Sequence, residues 1–314
     1  MRVSPRRVVK HDASVEPAKL SRRWKKQRAR AVAAAKISGP TAVSCTKDNS
    51  FYFETYKCPE KMRDVMTECG VVDKLLEAHV KRLQDKAWSI FPYPCIGMFE
   101  FVKFNLPGYR SYPRILSLLR SGGVYLDVGC CVGQELRYLL SHEGIPASQL
   151  FGCDIEPEFL EIGYELFMDA PGAMRLEAAD IFDDEAWTEN EMKQRCAVVH
   201  AGYFLHLFSY QRQLLAAKRL VGYLERKKGN TIVGRMIGSR APGEYTHPTV
   251  GIMMRHDRES FGRFWKRVAE ETGLKLDVQC DICESTVRIS HDGKKFDHPP
   301  EEKATEITFS ITIV

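Results

Sequence analysis

The chain has 314 residues, 44% hydrophobic and 28% charged, which excludes a collagen-like, coiled-coil or wholly disordered protein and suits one catalytic domain with appendages. The net charge of +5 is unevenly held: residues 1–30 carry eleven Lys or Arg against Asp12 and Glu16, a local +9 that leaves the rest at −4. A mildly acidic body speaks against a nucleic-acid enzyme, and no apolar run approaches the ~20 residues that cross a bilayer, so neither nucleic acid nor a membrane is an expected partner.

Residues 1–48 are basic and poor in large apolar side chains, so they read as a disordered arm; a mitochondrial presequence or a nucleic-acid-contacting arm are the alternatives. The ten cysteines are dispersed and no apolar signal peptide precedes them, which predicts reduced thiols and a cytoplasmic protein. Order is expected from about Phe51. Met62, Val65, Met66, Val72, Leu75, Leu76, Val80 and Leu83 recur at helical steps, predicting one or two amphipathic helices interrupted near Gly70. The aromatic, proline-stiffened run 89–101 has the character of a lid, and a short helix is expected from Tyr112 to Leu119.

From Gly122 strands and helices alternate. Strands are predicted at Val124–Val128, Leu150–Asp154, Met174–Ala178, Ala197–His200 and Thr231–Met236, with helices between them, the pattern of an α/β parallel sheet wound on both faces. Gly238 to Arg255 reads as irregular, a helix follows from about Arg258 to Thr272, and Leu274–Cys280 and Glu306–Val314 close the chain as strands.

The first strand runs into Tyr125-Leu-Asp-Val-Gly-Cys-Cys-Val-Gly-Gln134, a glycine turn at the sheet's carboxyl edge, where open α/β sheets bind nucleotides. A dinucleotide site wants Gly-x-Gly-x-x-Gly, whereas this turn offers only Gly129 and Gly133, with Asp127 ahead of them. That carboxylate repels a pyrophosphate but suits the ammonium and sulfonium of S-adenosylmethionine. Asp154, 21 residues beyond Gly133, ends the second strand and can accept both ribose hydroxyls, with Ile155 beside it. Asp180 ends the third and is followed by Ile181 and Phe182, an acid and apolar surface for the adenine. Asp127, Gly129, Cys130, Cys131, Gly133, Gln134, Asp154, Ile155, Asp180, Ile181, Phe182 and His200 therefore make up the expected cofactor wall.

The run Asp127-Val-Gly-Cys-Cys-Val-Gly133 resembles motif I of class I S-adenosylmethionine-dependent methyltransferases. Lys86-Ala-Trp-Ser-Ile-Phe-Pro-Tyr-Pro-Cys-Ile-Gly97, His200-Ala-Gly-Tyr-Phe-Leu-His-Leu-Phe208 and Pro242-Gly-Glu-Tyr245 resemble, with that turn, the fungal methyltransferases of meroterpenoid and related secondary-metabolite clusters, from about residue 55 onward. The resemblance implies a seven-stranded, mostly parallel Rossmann-like sheet (residues 122–314) behind an N-terminal helical cap (49–121), and O-methylation of a small molecule, in several members at a carboxyl group. Cys131 stands where a middle glycine is common, a departure the fungal group shares.

On the acceptor side, His206 has the chemistry of a general base, though an ionised carboxylate needs none. Arg235 is placed to pair with a carboxylate, Tyr203, Tyr245 and His247 to line the site, with Arg255 a weaker candidate, and Tyr93 and Phe99 to close over an apolar acceptor. No acid cluster remains for a metal, and Cys280-x-x-Cys283, with no second pair, reads as structural thiols. Methylation at nitrogen or carbon, or of a macromolecule guided by the basic arm, remains open, as does a regulatory protein that binds the cofactor without chemistry. Oligomeric state is also open, a homodimer included.

Overall fold

A computed structural model describes residues 51–314 except 69–70, 189, 248–249, 285–287, 290–292, 294 and 297–302. The basic arm and the interruption at Gly70 lie outside the described residues. The first helices among the described residues are α1 (Glu60–Glu68) and α2 (Leu76–Ile90), followed by the single turn α3 (Pro94–Gly97) and by α4 (Tyr112–Arg120). Leu76, Val80, Leu83, Ala87 and Trp88 of α2 are buried at helical spacing. Val72 and Leu75, which sequence periodicity counted with them, lie before α2 and are exposed at 60% and 61%.

The sheet alternates with helices: β1 (Val124–Val128), α5 (Gln134–Ser141), β2 (Leu150–Asp154), α6 (Pro157–Leu166), β3 (Arg175–Ala178), α7 (Asp184–Thr188), β4 (Cys196–Gly202), α8 (Tyr210–Tyr223) and β5 (Thr231–Ser239). Then come β6 (Gly243–His247), β7 (Gly251–Arg255), α9 (Arg258–Thr272), β8 (Leu276–Glu284), the two-residue strands β9 (Arg288–Ile289) and β10 (Lys295–Phe296), and β11 (Ala304–Ile313). The order across the main sheet is β3-β2-β1-β4-β5-β11-β8. β11 alone runs against its neighbours, pairing antiparallel with both β5 and β8. This is the mostly parallel, seven-stranded Rossmann-like sheet expected of a class I methyltransferase.

Period-two alternation splits each strand between two cores. Leu126, Val128 and Val199 face α8 and α9 with Ile307, Phe309 and Ile311, while Tyr125 and Val198 face α4, α5 and α6. The stretch read as irregular is in fact a strand extension followed by a hairpin, β6 pairing antiparallel with β7. Helix α9 starts where Asp257 Oδ1 accepts the Ser260 N–H at 2.7 Å and Ser260 Oγ accepts the Asp257 N–H at 3.1 Å, a reciprocal cap. Cys280 and Cys283 both lie in β8, where residues three apart point to opposite faces, so they form no pair.

The cap buries Tyr52, Phe53, Met62, Met66, Trp88 and Ile96 in a core shared with Val132, Tyr138, Phe159, Ile162 and Phe167 of the sheet domain. Arg82 and Lys86 of α2 bridge to Glu165 of α6 at 2.6 Å each along the rim. Gln84, fully buried, donates to the carbonyls of Phe53 at 3.1 Å and Gly97 at 2.6 Å, tying the entering chain to α3. At Gly97 a Cβ would stand 2.1 Å from the Phe51 carbonyl oxygen and 2.7 Å from the Trp88 ring. Gly97→Ala should therefore cost about 3 kcal/mol by overpacking, read as a lower urea midpoint at unchanged slope.

Candidate active site

The turn after β1 places three residues in the left-handed region, Gly129 (φ +73°), Cys131 (φ +51°) and Gly133 (φ +67°). The N–H groups of Gly129 and Cys130 both donate to the Cys153 carbonyl, at 2.8 and 3.0 Å, which seats the turn on β2. Gly129 is required twice over, by its φ and because a Cβ would lie 2.7 Å from the Phe204 ring. Cys131 holds a conformation that costs a non-glycine residue, of the kind that concentrates at ligand sites. The cysteine in place of a middle glycine thus keeps the glycine's backbone shape.

Asp154 organises the turn from β2. Its Oδ2 accepts the Cys131 N–H at 2.7 Å and its Oδ1 the Glu156 N–H at 3.0 Å. Burial pushes its pKa up to about 6, against the pull of these N–H groups. Each carboxylate oxygen keeps a second lone pair, which is what two ribose hydroxyls need. Ile155 beside it is 39% exposed, an apolar surface at the edge of the cleft.

After β3, Asp180 Oδ1 accepts the Phe182 N–H at 2.8 Å. Arg219 of α8 donates to the Ile181 carbonyl and pairs with Asp184, and the Arg212 guanidinium lies 3.9 Å from the Phe182 ring. Phe182 in turn meets Phe208 edge-on at 4.9 Å. Acids at the ends of β1, β2 and β3, with apolar Ile155 and Phe182 between them, fit the ammonium, ribose and adenine of S-adenosylmethionine. Gln134, which opens α5, has a buried Oε1 with no hydrogen-bond partner among the described residues, an acceptor suited to an ammonium donor.

Asp127 is engaged by a neighbouring strand. Its Oδ1 lies 2.8 Å from His200 Nδ1, and His200 Nε2 lies 3.2 Å from the Tyr109 hydroxyl. Beside them Glu135, 1% exposed, accepts the N–H groups of Asn105 at 2.6 Å and Leu106 at 3.3 Å; burial pushes its pKa up to about 7. Arg137, also 1% exposed, donates to the carbonyls of Val132 at 2.7 Å and Gly133 at 3.3 Å and pairs with Asp169 through two nitrogens, at 2.9 and 3.0 Å. Sequence reasoning missed Asn105, Tyr109, Glu135 and Arg137.

The acceptor-side candidates divide. Tyr203, His206 and Arg235 gather where β4 ends beside the middle of β5: the Tyr203 N–H donates to the Arg235 carbonyl at 2.6 Å, the Arg235 guanidinium lies 5.4 Å from the Tyr203 ring, and the buried His206 ring stands edge-on to Tyr203 at 6.0 Å. Arg235 pairs with buried Glu306 of β11 and donates to Asn105 Oδ1 at 3.2 Å. Tyr245 turns its hydroxyl to the Ala241 carbonyl at 2.6 Å, under the guanidinium of buried Arg255. His247 meets Phe51 of the cap at 6.3 Å. Tyr93 packs on Phe159 of α6 at 6.2 Å, and burial with Asp154 and Glu156 nearby raises its hydroxyl pKa, so it stands near the end of β2. Phe99 (φ +59°) lies in the cap's core against Tyr56 at 4.8 Å. Among the described residues no group of three or more His, Cys, Asp or Glu is arranged to hold a metal, and no helix is long and apolar enough to cross a membrane.

Residues 52–102 match the family model of the meroterpenoid methyltransferase N-terminal domain. The chain is 44% identical over 202 residues, 63% of its length and 67% of the relative's, to the O-methyltransferase phiE of a fungal species. It is 37% identical over 230 residues to the methyltransferase adrK of Penicillium roqueforti (72% of this chain, 82% of the relative). To the asnovolin E/chermesin D methyltransferase nvfJ of Aspergillus novofumigatus it is 30% identical over 244 residues (76% and 85%). With a cap of that family ahead of a mostly parallel seven-stranded sheet, and relatives of this identity matched over most of their length, the chain belongs to the fungal secondary-metabolite methyltransferases, enzymes that use S-adenosylmethionine.

Proposed function

We propose that the enzyme methylates an oxygen of a small, largely apolar natural product, and that this oxygen belongs to a carboxyl group. The observation that carries the reading is Arg235. Its guanidinium is held at the methyl-donor edge of the sheet by Glu306 and Asn105, while its buried Nε has no hydrogen-bond partner among the described residues. That nitrogen is a fixed donor for an acceptor oxygen beside Tyr203. The name of the phiE relative, an O-methyltransferase, supports oxygen as the methylated atom.

S-Adenosylmethionine supplies an electrophilic methyl on sulfur. Asp154 and Asp180 hold the nucleoside, the turn at 129–133 supports the methionine end, and the cap aromatics exclude water. A carboxylate is already ionised at neutral pH, so the protein's task is to align it in line with the methyl carbon, and no proton is moved. Incubation with S-adenosylmethionine and apolar carboxylic acids should give products heavier by one methylene, which mild alkali hydrolyses back to the acid. Alkali-stable products would point to a phenol ether or to methylation at nitrogen or carbon.

His206 separates the same alternatives by kinetics. For a carboxylate acceptor, His206→Ala should weaken acceptor binding without rescue at high pH. For a phenol, kcat at neutral pH should fall by about 10²–10⁴-fold and recover toward the phenol's own pKa. The measurement is kcat from pH 6 to 10 with cofactor saturating.

A further inference from the structure

His200 is 4% exposed, sits on β4 directly beside Asp127 of β1, and has both ring nitrogens engaged. Nδ1 lies 2.8 Å from Asp127 Oδ1, and Nε2 lies 3.2 Å from the Tyr109 hydroxyl. A tyrosine hydroxyl donates or accepts equally well. With the ring neutral, Nδ1–H donates to Asp127 and the Tyr109 O–H donates to Nε2. With the ring protonated, Nε2–H donates to the Tyr109 oxygen instead. Neither state loses a hydrogen bond, so the ring can change its charge in place.

We propose that His200 is the proton-carrying positioning residue that sets how strongly this enzyme prefers S-adenosylmethionine over its product S-adenosylhomocysteine. The inference rests on the cofactor assignment above. The two ligands share ribose, adenine, ammonium and carboxylate, and differ by the methyl and the positive charge on sulfur. A protonated His200 cancels the charge of Asp127, and the sulfonium then meets a neutral pair. A neutral His200 leaves Asp127 as a net negative charge, which favours the sulfonium ligand alone. Preference for the substrate over the spent cofactor therefore rises with pH.

The groups around the ring decide where this happens. Burial disfavours the imidazolium, but Asp127 and, from α5, Glu135 outweigh it, so the pKa of His200 is raised above its usual value of 6.5. Tyr109 comes from the segment before α4, and Tyr125 of β1 stacks on the ring at 6.2 Å with a hydroxyl whose pKa is raised by burial. From β5 the register partner is apolar Val233. Arg235 acts on Tyr109 as a neighbouring charge. Glu135 and Asp154 also titrate in the region, with pKa values pushed up to about 7 and about 6, and they act in the same direction as His200.

The test is calorimetric titration of the full chain with each ligand from pH 5.5 to 8.5, reading the ratio of Kd for S-adenosylhomocysteine to Kd for S-adenosylmethionine. The ratio cancels contributions the ligands share. In the wild-type protein it should rise about tenfold across the range. His200→Asn, whose amide can still donate to Asp127, should flatten most of that rise. Tyr109→Phe removes a hydrogen bond from both states, but the charge-assisted one to the protonated ring is the stronger, so the midpoint should move to lower pH, and this second variant decides the matter should His200→Asn not fold. An equal rise in wild type and His200→Asn would assign the effect to Glu135 and Asp154 and overturn the proposal, as would a flat wild-type ratio. Wild-type protein that binds neither ligand would overturn the cofactor assignment itself, and the proposal with it.

Discussion

Asp154→Ala should weaken S-adenosylmethionine by at least about a hundredfold, because it removes two charge-assisted bonds to the ribose, roughly 1.5–3 kcal/mol each. The same carboxylate also holds the Cys131 and Glu156 N–H groups, so the variant loosens the turn that supports the rest of the ligand. Affinity should be pH-dependent in the wild-type protein. Burial pushes the pKa of Asp154 up to about 6, and donating hydroxyls favour the ionised form, so binding weakens as pH falls through about 6. Stability runs the other way. The folded pKa lies above the unfolded value of about 3.9, so the ligand-free protein takes up a proton on folding between the two. This group's contribution is therefore fully present below about 4 and is lost as pH rises through about 6. Calorimetric affinities at pH 5.5 and 7.5, beside thermal melts without ligand, check both signs; unchanged affinity in Asp154→Ala would remove the ribose assignment.

Arg137→Met should be the most destabilising change in the sheet domain, by about 3–5 kcal/mol, because it leaves the Asp169 carboxylate and the Val132 carbonyl without their donor. The guanidinium also lies 4.8 Å from the Phe167 ring and 5.2 Å from the Tyr164 ring, contacts that methionine would not reproduce. Adding Asp169→Leu should restore part of the loss, since the unpaired charge goes with it. Urea melts of the two variants measure the difference, and equal midpoints for both would show that the lost carbonyl contacts dominate instead.

The acids and glycines of the expected cofactor wall could be picked out in the sequence because they stand at or just after strand ends, and strand ends are marked by abrupt changes of periodicity. Glu135 and Arg137 were not. On an eight-residue helix, charged side chains read as its solvent face, and the charged or backbone partners that make their burial possible include residues distant in sequence, Asn105 and Leu106 for one and Asp169 for the other. The hairpin β6–β7 was hidden by Pro242, Gly243, Pro248 and Gly251, which punctuate so short a stretch that its alternation is lost. Tyr203 was found from its position after the fourth strand and Arg235 from its place in the fifth, but the Glu306 that holds them comes from the last strand, across a register no local pattern announces.

The core that runs without a break from Tyr52 and Trp88 to Phe159 and Phe167 limits how acceptor preference can diverge among relatives. A cap transplanted from another enzyme would arrive without the apolar faces of α5 and α6 that its side chains interlock with. Those two helices also flank the glycine turn, through Val132 and Arg137. Remodelling the roof thus pulls on the floor. Recombination at the cap boundary would yield misfitted chimeras, whereas point changes in the hairpin, whose Ile252 is 54% exposed, leave the nucleoside cradle untouched and are the easier route to new acceptors.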